Sequence, residues 1–131
     1  VQSSASFEGG VDILETIIMN FEGNKMATLQ SGVREISDRM GSIFGTKGYI
    51  QVQNINNPEK ITVFNQNHEE TASYFPPKQI TGYEYEVRAC KKALEEGKIE
   101  CPEMPHAETV RIMEIMDGLR KSWGYEIPEV E

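Results

Sequence analysis

The sequence predicts an α+β domain: an open-faced, largely antiparallel β-sheet with two C-terminal helices packed on one face. Three observations carry this reading. Apolar and polar residues alternate through much of Val11 to Phe75, and Gly, Asn and Pro clusters interrupt the alternation at short intervals. After Pro76-Pro77 the apolar period changes to the 4-3-4 spacing of amphipathic helices. Strands first and helices last is the chain order of an α+β layer architecture.

Each element has its own signal. From Val11 to Phe21 the odd positions Val11, Ile13, Ile17, Met19 and Phe21 are apolar, with Glu15 the exception, so one face of this strand is strongly buried. Met26 to Ile36 reads as the return strand, with Ala27, Leu29 and Val33 on odd positions. A three-residue turn, Glu22-Gly23-Asn24 with Asn24 left-handed, sets Phe21 opposite Lys25 and unites the two apolar faces. A two-residue turn would split them.

"IFGTKGYIQV", Ile43 to Val52, has glycines around a Thr-Lys pair. It is not a phosphate loop, because Lys47 is followed by Gly48 and the next residues have strand character instead of opening a helix. Ser42 to Phe44 and Tyr49 to Gln53 form a hairpin, with Gly45 and Gly48 supplying the turn angles and Lys47 pointing to water. Lys60 to Phe64 and Thr71 to Phe75 are further strands, and Pro76-Pro77 ends the last one.

The first helix covers Tyr83 to Glu96, with Tyr83, Val87, Cys90 and Leu94 on its apolar stripe and Gly97 as its stop. "KIECPEMP" is a linker. The second helix runs from about His106 to Trp123, entered at Pro105 and left at Gly124, with Ile112, Met116, Leu119 and Trp123 facing the core. Met113 and Met116 read as core packing.

Length and charge bound the function. A chain of 131 residues suits a single domain, 1–131, and is too short for a nucleotide-binding domain plus a separate substrate domain. A net charge of −8 without a basic cluster opposes a nucleic-acid partner. No apolar run approaches bilayer length, and no secretory signal opens the chain, so no membrane role is expected. The absence of an initiator Met suggests a piece of a longer gene product. Two cysteines, Cys90 and Cys101, make no disulfide framework, and with His68 and His106 they give no zinc spacing. Cys90 is expected to be a buried thiol in a reducing cytoplasm.

The order of motifs resembles the C-terminal α/β domain of the Gfo/Idh/MocA oxidoreductases (glucose-fructose oxidoreductase, inositol dehydrogenase and relatives). The residues that carry it are "VDILETIIMNFEGNKMATLQSG", "IFGTKGYIQV", "GYEYEVRACKKALEEGK" and "CPEMPHAETVRIMEIMDGLRKSWG", and the likeness runs from about Val11 to Pro128. The Tyr-Glu opening of the first helix, together with the Pro-Glu-Met-Pro entry of the other helix, most resembles the dihydrodiol or sugar dehydrogenase branches.

The resemblance implies the C-terminal fold of the glyceraldehyde-3-phosphate-dehydrogenase-like type. It also implies an N-terminal Rossmann domain elsewhere in the protein, NAD or NADP as cofactor of the full-length parent, and a sugar, cyclitol or diol as substrate. A lysine and a histidine of the other half would move the alcohol proton while the nicotinamide takes the hydride. This chain has no G-x-G-x-x-G, no Glu-Lys-Pro, and no Asp-His pair of the family's kind. Its end, "GYEIPEVE", matches the family's usual end. No catalytic, cofactor-binding or metal residue is therefore assigned within it, and the fragment alone is expected to be inactive.

The face of the sheet away from the helices displays Leu14, Ile18, Met26 and Ile36 among Thr16, Thr28 and other polar residues. That mixture marks a subunit interface, so a homo-oligomer, dimer or tetramer, is expected through it. Arg34, Arg39 and His106 are candidates for the substrate side. Against them stand ordinary roles: the arginines pair with Glu35 or Asp38, and His106 caps a helix. His68, in the polar turn "NQNHEE", is a weaker candidate for acid–base chemistry. A competing reading is a non-catalytic dimerisation or interaction module of the same fold. A hydrolase is disfavoured, because no G-x-S-x-G is present.

Overall fold

In the computed structural model, residues 1–125 are described. The α+β class holds: seven antiparallel strands precede two helices. The strands divide between two sheets, one of three strands and one of four. The chain groups into two compact units, Val1–Ile36 with Pro102–Glu131, and Ser37–Cys101.

The first unit contains β1 (Gln2–Glu8), β2 (Val11–Phe21) and β3 (Lys25–Gly32) in the order β1-β2-β3, together with α2 (His106–Ser122). β1 is absent from the sequence expectation, because "QSSASFE" is serine-rich and carries no β-branched residue. It is held by its neighbour: Gly9 and Gly10 both take positive φ, 60° and 81°, as a two-residue hairpin turn requires.

The β2–β3 register is the expected one, with Phe21 opposite Lys25, Met19 opposite Ala27 and Ile17 opposite Leu29. Gly23 and Asn24 take φ of 72° and 58° in the turn. β3 stops at Gly32, four residues before the expected Ile36, although Val33 N–H still donates to the Ile13 carbonyl at 2.9 Å.

Between Ser6 and Phe7 the β1–β2 pairing shifts from Ser6↔Leu14 to Phe7↔Asp12, so β2 carries one extra residue there. β1 keeps its alternation, which leaves Phe7 on the same face as Ser3 and Ala5. That face receives the end of α2. Trp123 Nε1 donates to Ser3 Oγ at 2.9 Å, and the Phe7 ring lies edge-on to Trp123 and stacked on Tyr125, with centroids 6.2 and 6.0 Å apart. Leu119, one turn before Trp123, is the buried apolar residue of α2. The helix ends as expected: Gly124 has φ 72°, Gly124 N–H bonds to the Lys121 carbonyl and Tyr125 N–H to that of Arg120.

The second unit contains β4 (Gly41–Gly45), β5 (Gly48–Gln53), β6 (Lys60–Asn65) and β7 (Glu70–Tyr74), paired in chain order, and α1 (Tyr83–Glu95). The Gly45↔Gly48 pair closes the hairpin. Gly48 alone supplies a positive φ, 148°, and a Cβ there would lie 2.0 Å from the Phe64 carbonyl oxygen; Gly45 does not share that angle. Across the sheet, Tyr49 stacks on Phe64 with centroids 4.7 Å apart, and Thr62 of the central β6 is buried.

α1 corrects one expectation. Its predicted core stripe faces solvent: Tyr83, Val87 and Leu94 are 70%, 67% and 78% exposed. Cys90, expected to be buried, is exposed with them. The covered side is the small one: Ala93 is buried, and Tyr85 and Ala89 are half-buried. Met113 and Met116, expected in the core, are only partly covered, at 45% and 38% exposed. The residues that periodicity assigns to a core are therefore in large part still open to contact.

The start of α1 is fastened by Glu84, whose carboxylate accepts from the N–H groups of Ile80 at 2.5 Å, Gly82 at 2.9 Å and Thr81 at 3.2 Å. Its end repeats the α2 pattern, with Gly97 at φ 66° and Lys98 N–H bonded to the Ala93 carbonyl. Beyond Tyr125, most of the "GYEIPEVE" segment lies outside the described residues.

Candidate functional site

The best-defined surface in the first unit is the face of β1-β2-β3 opposite Ser3 and Phe7. Register builds it in rows: Ser6, Leu14 and Gly32; Ser4, Thr16 and Gln30; Gln2, Ile18 and Thr28; then Asn20 and Met26. Five of the six residues expected at an interface, Leu14, Thr16, Ile18, Met26 and Thr28, share this face. Leu14, Thr16 and Ile18 are half-buried between neighbouring strands, and Met26 and Thr28 are exposed. Ile36 lies past the end of β3 and is fully exposed.

At one end of the sheet Arg34 meets Glu8. Nη1 lies 2.6 Å from Oε2 and Nη2 lies 2.8 Å from Oε1, a bidentate pair joining the far ends of the two edge strands. The expected partners were Glu35 and Asp38. Glu35 instead accepts from the Arg34 backbone N–H, at 3.3 Å, and Glu8 belongs to the strand that the sequence did not reveal.

Arg39 belongs to the other unit, in the connection before β4, where φ is 52°. Its carbonyl accepts from Ile55 N–H at 2.8 Å. His106 is the first residue of α2, directly after Pro105, whose extended backbone starts the helix. His68 sits in the β6–β7 turn at φ 62°, with its ring 5.7 Å from that of Tyr49.

The perturbed carboxylates are structural. Glu84 is held down to about 2, first by the Ile80 N–H and then by its other backbone donors. Glu70 is lowered by the Ser73 hydroxyl and by Lys60, Glu96 by Lys98, and Glu108 by Arg111. Each lies beside the partner that lowers it, Glu70 and Glu96 on exposed surface and Glu84 and Glu108 half-buried. Among the described residues no group of three or more His, Cys, Asp or Glu side chains is placed to hold a metal ion.

One pairing had no sequence signal. Cys90 and Cys101, eleven positions apart, bring their Sγ atoms to 3.8 Å. Neither spacing nor periodicity announces it, because the approach depends on the linker folding back after Gly97.

The described residues thus form two compact α+β units, each an antiparallel sheet with one helix. In sequence the chain is similar to dehydrogenases. It is 31% identical over 129 residues to trans-1,2-dihydrobenzene-1,2-diol dehydrogenase of Xenopus laevis. It is 25% identical to the proteins of that name from Mus musculus, over 132 residues, and Homo sapiens, over 127 residues. These alignments take in 92–93% of the chain but 38% of each relative, so the chain spans about two fifths of their length. No protein-family model matches it. Among the described residues no helix is long and apolar enough to cross a membrane.

Proposed function

We propose that this chain is the C-terminal, substrate-side and assembly part of an oxidoreductase of the Gfo/Idh/MocA type. The parent uses NAD or NADP on a diol, cyclitol or sugar, in a cytoplasmic setting where Cys90 and Cys101 are ordinarily thiols. The observation that carries this reading is the similarity to dihydrodiol dehydrogenases over nearly the whole chain, at a domain-sized share of their length.

The residues of this chain do not fit a dinucleotide. Among the described residues every strand pairing is antiparallel, so the crevice at the ends of parallel strands is lacking there, and no glycine fingerprint precedes either helix. The cofactor belongs to a Rossmann domain of the same protein, and no step of the reaction is assigned to a residue here. What this chain contributes is a wall of the substrate cleft and a platform for subunits. The mixed face of Leu14, Thr16, Ile18, Met26 and Thr28 is the platform, joining two or four copies. Arg34, Arg39 and His106 are separate candidates for the substrate side, Arg39 in a different unit from the other two and Arg34 only where substrate displaces Glu8.

The test is an assay of the gene product that includes this chain, with NAD⁺ or NADP⁺ and a panel of trans-diols, cyclitols and sugars. Reduction of one nicotinamide by one of these alcohols supports the reading. A gene product that binds the dinucleotide but oxidises none of them overturns it. The chain alone is expected to turn over nothing.

A further inference from the structure

We propose that Cys90 and Cys101 form a reversible intramolecular disulfide, a modification site independent of the oxidoreductase reading. The thiols are reduced in the structure, with Sγ atoms 3.8 Å apart, so a modest closing movement brings them to bonding distance. Cys90 is reachable. It sits on the outward side of α1, beside Val87, Lys91 and Leu94 around a shallow open hollow. Cys101 is half-exposed and follows a segment folded back by the Lys98 to Ala93 backbone bond.

The chemistry is exchange with a low-molecular-weight disulfide such as oxidised glutathione. The Cys90 thiolate attacks one sulfur of the small disulfide, forms a mixed disulfide and expels one small thiolate. The Cys101 thiolate then attacks the Cys90 sulfur, forming the Cys90–Cys101 bond and expelling the second small thiolate. The protein loses two electrons and two protons, and the small disulfide is reduced to two thiols. The product closes a loop from the third turn of α1 to the last residue of the Ser37–Cys101 unit, so the point at which the chain leaves that unit becomes fixed to the helix.

The experiment incubates the chain in graded mixtures of oxidised and reduced glutathione, natively and in urea, and follows it by intact mass and peptide mapping. The expected native product is lighter by two hydrogen atoms and yields one cross-linked peptide containing both cysteines. Its effective concentration should be at least about tenfold greater natively than in urea. Cys90→Ser and Cys101→Ser should each stop at the glutathione adduct. The proposal is overturned if the native wild type accumulates only adducts or inter-chain dimers, or if closure is equally favourable in urea.

Discussion

The Arg34 guanidinium grips the Glu8 carboxylate through both of its outer nitrogens, at 2.6 and 2.8 Å, and so ties the end of β3 to the end of β1 across β2. Both side chains are more than half exposed, so the pair is worth roughly 0.2–1 kcal/mol at low salt. Arg34→Ala should cost that much in urea unfolding at about 0.05 M salt and little at about 1 M. Adding Glu8→Gln to it should cost almost nothing more; full additivity would show that the two groups do not interact.

Ile18 sits on the central strand of the open face, between Gln2 and Thr28. If subunits meet there, Ile18→Lys buries an unpaired ammonium and should weaken association by at least about a hundredfold, roughly 3 kcal/mol, with the helical circular dichroism unchanged. Sedimentation of both proteins over a concentration series reads this. A wild-type chain that stays monomeric throughout removes the platform.

Two glycines in the left-handed half of backbone space should respond differently to alanine. At Gly48 the new Cβ meets the Phe64 carbonyl oxygen at 2.0 Å, a backbone atom of the neighbouring strand. Gly48→Ala should therefore destabilise by more than about 2 kcal/mol. Gly97 has φ 66° and open space around the added methyl group, so Gly97→Ala should cost about 1 kcal/mol. Thermal and urea unfolding of the two variants give the comparison, and equal losses would contradict it.

Glu84 makes the start of α1 acid-sensitive. Its folded pKa, held to about 2, lies below the ordinary 4.5 because the carboxylate accepts from Ile80, Thr81 and Gly82. The ionised form is favoured by folding, so its contribution is complete above pH 4.5, declines as pH falls, and is gone below about 2. The amide resonances of Ile80 and Gly82 should titrate together with a midpoint near 2, and Glu84→Gln should abolish that titration. A midpoint near 4.5 would mean that the carboxylate does not hold these amides.

Much of this fold was legible because local chemistry and tertiary packing agree. Of the two turns that Gly23 and Asn24 allow, only the three-residue one aligns the apolar positions of β2 and β3, so register follows from sequence. Gly97 and Gly124 stop their helices for the same local reason. β1 was hidden because Ser3, Ser4 and Ser6 have no intrinsic strand preference; only pairing with β2 makes them a strand. Periodicity located α1 but chose the wrong side, since an alanine face and an aliphatic face both repeat at helical spacing and the larger one attracts the eye. For the candidate site, the residues sharing a face were readable from alternation, whereas Arg34 with Glu8 and Cys90 with Cys101 depend on how distant segments return.

The outward aliphatic flank of α1 also bears on how long the polypeptide survives in a cell. Synthesised with Val87 and Leu94 bare, the chain offers chaperones and proteases a standing handle on an otherwise ordered helix.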